Sequence, residues 1–317
     1  MSREKEEAEA PMIDLRPLRP VGSRGLLRLV RKHWDRPVFF SLASISIVAL
    51  GLIVYFIFRE AIPLFREVQV ADFFGSQWRP TSQVARFGAM PMIVGSALVT
   101  VGALGIAIPL GFASATFIAE VAPGFLKDVA KSVLELLAGI PSVVYGFFGL
   151  AVVAPFLQGW LHLATGRTAL TASIILAIMA LPTIASLAED ALTAVPIAYR
   201  EASAAVGATR WQTIWRVTIP AAFSGLIGAV ILGLGRAVGE TMAVLMVAGN
   251  SPQITASFLK PVRTLTSGIA LEMGETAFGS THYHALFALG ALLLLITLAM
   301  NWAAEGFRGR LARKHGR

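Results

Sequence analysis

Six apolar runs constrain this chain more than any other feature. They lie at 38–58, 91–119, 129–157, 170–187, 221–249 and 285–302. As a helix rising about 1.5 Å per residue, each is long enough to cross most or all of about 30 Å of hydrocarbon. The overall balance agrees. Of the 317 residues, 56% are hydrophobic and 15% charged, against about 45–50% and about 25% in soluble globular chains. The expectation is an all-α membrane protein with six transmembrane helices. The first run is too long and too far from the N-terminus for a signal peptide, and no small-residue cleavage site follows it, so it reads as an uncleaved anchor.

The segments between the runs set the layout. Residues 1–37 are polar, and Pro11, Pro17 and Pro20 oppose a continuous helix up to that point, although a short basic helix could form over 23–33. The anchor follows at 38–58, then a polar connector at 59–90 holding Trp78, Pro80 and Gly88. A five-helix core spans 91–303 and contains a polar loop at 190–220 and a long connector at 250–284, which opens on the turn signal Asn250-Ser251-Pro252-Gln253. Residues 304–317 form a basic tail. If the N-terminus is inside, 19 of the 27 lysines and arginines fall on inside segments and 7 on outside connectors, with Arg236 in a span. That asymmetry predicts cytoplasmic N- and C-termini, a cytoplasmic 190–220 loop and an external 250–284 connector.

Small residues recur in the runs: Gly95, Ser96, Gly102 and Gly105 in the second, Gly146 and Gly149 in the third, Gly235-x-x-x-Gly239 in the fifth. They predict close helix packing. Pro109, Pro141 and Pro182 predict a kink or break in three helices.

Several function classes are excluded. The chain has no cysteine, hence no disulfide framework or thiolate metal site, and its five histidines form no HExxH or helical ligand pair. No metal or cofactor is expected in this chain. The net charge of +8 is not gathered with aromatics on a polar face, so nucleic acid is not an expected partner. No nucleophile–base constellation occurs in the runs, which argues against a membrane enzyme. No G-x-x-x-x-G-K-[ST] occurs, so ATP is not bound here by a P-loop.

Arg236 and Glu240 lie inside the fifth run. An ionisable residue in a span is costly and ordinarily faces a cavity with a partner. Four apart, the two share one face of a helix, with Arg236 about 24 Å beyond Pro220 and past the midplane. Two roles are open. The pair could lock two helices, or it could bind an oxyanion, the guanidinium offering a planar fork of donors. An ionised carboxylate beside that fork only accepts. It would favour phosphate, which carries a P–O–H donor at neutral pH, over sulfate, which carries none.

The polar loop before this run carries a pattern. Glu201-Ala202-Ser203 is followed by Gly207, six residues after the glutamate, and then by Val217, Ile219 and Pro220. Small side chains at 202–205 suit a groove, Gly207 permits a reversal, Trp211, Ile214 and Trp215 repeat at helical spacing as on a membrane-surface helix, and Pro220 suits a helix start. This spacing resembles the EAA loop of ABC importer permeases, with serine for an alanine, valine for isoleucine and isoleucine for leucine. Three further stretches narrow the resemblance: 138–150 (A-G-I-P-S-V-V-Y-G-F-F-G-L), 235–250, which includes G-R-A-V-G-E-T, and 263–275 followed by His282-Tyr283. They are similar to phosphate-specific transport permeases, the last of them to the PstC type.

That resemblance implies a type I ABC importer permease core with a cytoplasmic coupling helix, in a bacterial inner membrane. It implies substrate contacts from Arg236 and Glu240, and ATPase coupling through Glu201, Ala202, Ser203 and Gly207. It also implies partners: an ABC ATPase dimer that hydrolyses the ATP, a PstA-like second permease, a periplasmic phosphate-binding protein, membrane lipids, and inorganic phosphate as cargo. Two ATPase clefts against one docking loop per chain likewise call for a second permease chain. The competing functions are an importer of another anion, such as sulfate or molybdate, and a stand-alone secondary transporter or channel.

Overall fold

The computed structural model describes the backbone of residues 23–315 and the side chains of 38–306 and 309. The expectation of no continuous helix up to Pro20 falls on 1–22, outside the described residues, while the short basic helix expected over 23–33 is the start of a longer one. Helix α1 runs Ser23–Ala61, and two compact units, Met1–Tyr55 and Phe56–Arg317, divide within it. In the first unit, residues 38–55 are apolar around most of the helix circumference, the pattern of a membrane span.

In the second unit, short helices α2 (Leu64–Glu67) and α3 (Val70–Phe73) precede a two-stranded hairpin. Strand β1 (Trp78–Arg79) pairs antiparallel with β2 (Arg86–Phe87), Trp78 opposite Phe87. Then come α4 (Met90–Thr116), α5 (Gly124–Gly139), α6 (Ser142–Phe148), α7 (Ala154–Trp160) and α8 (Ala169–Thr193). The chain continues through α9 (Ile197–Ala205), α10 (Arg210–Thr213), α11 (Ile219–Gly239), α12 (Met242–Val247), α13 (Leu265–Glu272) and α14 (Thr281–His315). Among the described residues, six helical stretches are long and apolar enough to cross a membrane: Val38–Glu67, Met90–Val121, Ser142–Trp160, Ala169–Thr193, Arg210–Gly239 and Thr281–Gly306. The six-span architecture is therefore present.

Helix α8 is the centre of this unit. Of its apolar window 61% is buried, against 28% in each of the four other spans from Met90 onward. Its composition explains the position: the alanines at 172, 177, 180, 185 and 188 are buried and let α4 and α11 approach closely. Fully buried Ile184 sits between Gly111 of α4 and Gly233 of α11. A Cβ on those glycines would lie 2.8 Å and 2.5 Å from its side chain. Gly102 faces Ser173, whose hydroxyl donates to the Val99 carbonyl at 3.2 Å. Gly95 of α4 meets the Arg263 backbone, and the Ser96 hydroxyl accepts from the Leu265 N–H at 2.9 Å. Gly105, Gly235 and Gly239 have nothing within 4 Å of a Cβ. The Gly235-x-x-x-Gly239 pattern is thus no packing seam among the described residues, where Gly233, two residues earlier, takes the α8-facing position.

Two of the expected spans are broken. The run at 129–157 is two elements, because Ile140 and Pro141 are extended (ψ 129° and 141°) and separate α5 from α6. Proline at 141 removes an N–H and disfavours helix at residue 140. The run at 221–249 is also split. Helix α11 stops at Gly239, Glu240 is extended (ψ 128°), and α12 restarts at Met242. At Pro109 and Pro182 the helices α4 and α8 continue without a break.

Candidate functional site

Arg236 and Glu240 occupy the break in the fifth span. Sequence spacing places them on one helix face, but that geometry needs a continuous helix, and the chain leaves the helix at Glu240. No ion pair joins the two. Instead the Arg236 Nη1 donates to Thr183 Oγ1 of α8 at 2.9 Å. The Glu240 carboxylate turns forward and its Oε1 accepts from the Ala243 N–H at 3.1 Å, capping the first turn of α12. Its carbonyl accepts from Thr266 Oγ1 at 2.9 Å. Both side chains are half-buried. The lock between Arg236 and Glu240 is replaced by separate polar contacts to α8 and α12.

The third span mirrors this break. Helix α6 starts after the extended pair 140–141, and Tyr145 Oη donates back across the gap to the Leu137 carbonyl at 2.8 Å. Helices α6 and α12 pack on each other through Gly146, where a Cβ would lie 2.8 Å from Met246 Sδ and 2.9 Å from Ala243 Cα. Gly149 is pressed between Ile175 and Val247. Two short helices, each following an extended residue, therefore meet beside α8.

The polar loop forms α9, a reversal and α10. Gly207 has φ +80° with nothing near its Cβ position, so backbone conformation alone requires glycine there. Thr209 and Gln212 form a capping box that starts α10. Glu201 and Ala202 are exposed, as are Ile197, Tyr199 and Val206, the last at 84%. Ser203 is different: it is buried, and its hydroxyl lies 2.9 Å from Thr213 Oγ1. The serine fits the chain itself rather than an external groove. Ile214 is buried, whereas Trp211 and Trp215 are exposed and meet edge to face at 5.7 Å.

Some polar clusters join residues too distant in sequence for spacing to reveal. Arg200 donates to Glu120 Oε1 (2.9 and 3.2 Å) and to the carbonyls of Leu192 and Val195 (2.9 and 3.1 Å). Buried Glu189 accepts from Lys127 at 3.0 Å, Lys131 at 2.9 Å and Thr193 at 2.9 Å. The hydrogen bond to Glu189, with a second to Asp190, raises the Lys131 ammonium above its ordinary range. At the other end of the bundle, Glu272 accepts from Trp78 Nε1 at 2.9 Å, pairs with Arg263 and lies 2.8 Å from His282 Nε2. These four residues border a cleft of about 660 Å³.

The chain is similar to several known proteins. Residues 107–313 match the family described as binding-protein-dependent transport system inner membrane component. A probable ABC transporter permease protein, YqgH, of Bacillus subtilis is 46% identical over 220 residues, 69% of this chain and 71% of that protein. A phosphate transport system permease protein, PstC, of Xylella fastidiosa is 35% identical over 291 residues, 86% of this chain and 88% of that one. The PstC of Mesorhizobium japonicum is 38% identical over 258 residues, 75% and 78% of the two chains. Among solved structures, a chain of a bacterial alginate ABC transporter in complex with an alginate pentasaccharide-bound periplasmic protein superposes with a TM-score of 0.61. It is 15% identical and covers 90% of this chain and 98% of that one. At that identity the likeness concerns the fold, which is that of ABC importer permeases. Six apolar helices, two broken spans around α8 and the family match over most of the core lead to one assignment: the chain belongs to the binding-protein-dependent transport system inner membrane component family.

Proposed function

We propose that this chain is the transmembrane permease subunit of an ATP-driven, binding-protein-dependent importer of inorganic phosphate. The cargo is suggested chiefly by the PstC relative that matches 86% of the chain. In the complex, a separate ATPase dimer hydrolyses ATP, a PstA-like chain completes the path and a periplasmic phosphate-binding protein delivers the anion. The N- and C-termini and the loop 190–220 are cytoplasmic, while 59–90 and 250–284 are periplasmic, as the basic-residue asymmetry favours. Residues 23–37 continue α1 ahead of the anchor, and α14 continues past residue 303 to His315.

Arg236 is the principal anion ligand from this subunit. Thr183 engages its Nη1, so the other edge of the guanidinium fork is presented to a passing oxyanion. Glu240 orients and selects. It caps α12 through Ala243, and as an acceptor-only group it favours an anion that brings a proton. Glu201, Ala202 and Gly207 present the docking helix to the ATPase, and Ser203 braces it from within. Exposed Ile197, Tyr199 and Val206 supply apolar contact area.

The test is the complex reconstituted in vesicles. ATP hydrolysis should be stimulated by binding protein loaded with phosphate and not with sulfate. Arg236→Gln should abolish phosphate entry without loss of assembly, since glutamine supplies neither the charge nor the fork. Stimulation by sulfate-loaded protein alone would move the assignment to another anion. Uptake that survives an inactive ATPase would indicate a secondary transporter.

A further inference from the structure

We infer that Glu120 is the positioning residue through which movement of the docking helix α9 reaches the span Met90–Val121. The inference rests on the docking role proposed for α9.

Among the described residues, two side chains of α9 make its polar attachments to the rest of the chain. Its apolar side chains Ile197 and Tyr199 face outward, and Ser203 contributes one buried hydroxyl contact to Thr213. Arg200 contributes four hydrogen bonds, two of them to Glu120 and two to carbonyls at the end of α8. The Glu120 main chain is used as well: its carbonyl accepts from the Arg210 guanidinium. Arg200 precedes Gly207 and Arg210 follows it, so one residue holds both limbs of the reversal. Glu120 is only 9% exposed. With the carboxylate so enclosed, losing its charge leaves the guanidinium without a counter-ion.

The setting suits a joint. Glu120 lies in a π-helical turn, Phe117–Val121, at the end of that span. A second π-helical turn, Ile214–Thr218, follows α10 and leads into α11. Such turns interrupt the regular ladder and recur at functional positions. The docking loop is thus fastened to two spans at their two irregular turns, and α4 and α11 both pack on α8, which carries Thr183 against Arg236. A displacement of α9 would pull first on Glu120.

The experiment measures phosphate imported per ATP hydrolysed in vesicles holding the complete complex. Glu120→Gln keeps the shape and removes the charge. Import per ATP should fall about tenfold or more, the scale of one charge-assisted hydrogen bond, while ATPase co-purification and ATP hydrolysis stay near wild type. Arg200→Lys keeps the charge and loses the fork, and it should give an intermediate ratio. A wild-type ratio in Glu120→Gln, with normal complex abundance, overturns the inference. Should Glu120→Gln lower abundance, Arg200→Lys decides, and a wild-type ratio there overturns it equally. Failure of the docking role is separately visible: a cysteine at Glu201 in an otherwise wild-type chain would then not cross-link to the ATPase.

Discussion

Replacing Gly146 by alanine adds one methyl group at the junction of the two broken spans. That Cβ would lie 2.8 Å from Met246 Sδ and 2.9 Å from Ala243 Cα. Non-bonded carbons prefer about 3.5–4.0 Å. The methionine can swing aside, but the Ala243 Cα is backbone, so α12 as a whole has to retreat by about half an ångström or more. Overpacking of this kind costs about 1–3 kcal/mol. The alanine regains about 0.5–1 kcal/mol by stiffening the helix, leaving a net loss of up to about 2.5 kcal/mol. Gly105 of α4 is the matched control: nothing lies within 4 Å of its Cβ, so Gly105→Ala carries only the helix gain. The assay is thermal unfolding of the purified protein in detergent. Gly146→Ala should melt a few degrees below wild type, and Gly105→Ala at or slightly above it. Equal midpoints for the two variants would refute the claim that α6 and α12 are in backbone-limited contact. Because Glu240 caps α12, a retreat of α12 should also weaken phosphate entry in Gly146→Ala relative to Gly105→Ala.

Other outcomes follow from single contacts. Gly207→Val places a branched side chain at φ +80°, which costs about 1–2 kcal/mol; co-purification of the ATPase should drop while membrane abundance stays normal. Glu272→Gln removes the counter-charge of Arg263 and turns one of the two carboxylate oxygens that serve Trp78, Arg263 and His282 into an amide donor, a loss of about 1.5–3 kcal/mol; limited proteolysis should cut the 250–284 connector faster than in wild type. Since the chain has no cysteine, single cysteines report sidedness: one at Ser280 should label from outside and one at Thr209 only from inside, and labelling of both from the same side removes the orientation.

The sequence by itself determined the class of fold. Length and hydropathy establish the spans, because crossing a bilayer is a property of each segment and its solvent. Gly207 was legible for the same local reason: a reversal needs a left-handed residue, and the structure has φ +80° there. The break at Pro141 was legible as well. The break at Glu240 was not, since Gly239-Glu240-Thr241 carries no proline and its helix ends only where Thr266 and Ala243 take the freed groups of Glu240. Tertiary structure alone decided that Arg236 bonds Thr183, 53 positions away, rather than Glu240, four positions away. It alone turned Ser203 inward onto Thr213 and gathered Arg200 and Arg210 on Glu120. Periodicity states which residues share a face while a helix persists; where the helix breaks, and which neighbour then supplies the polar partner, depends on the packing of other segments around α8.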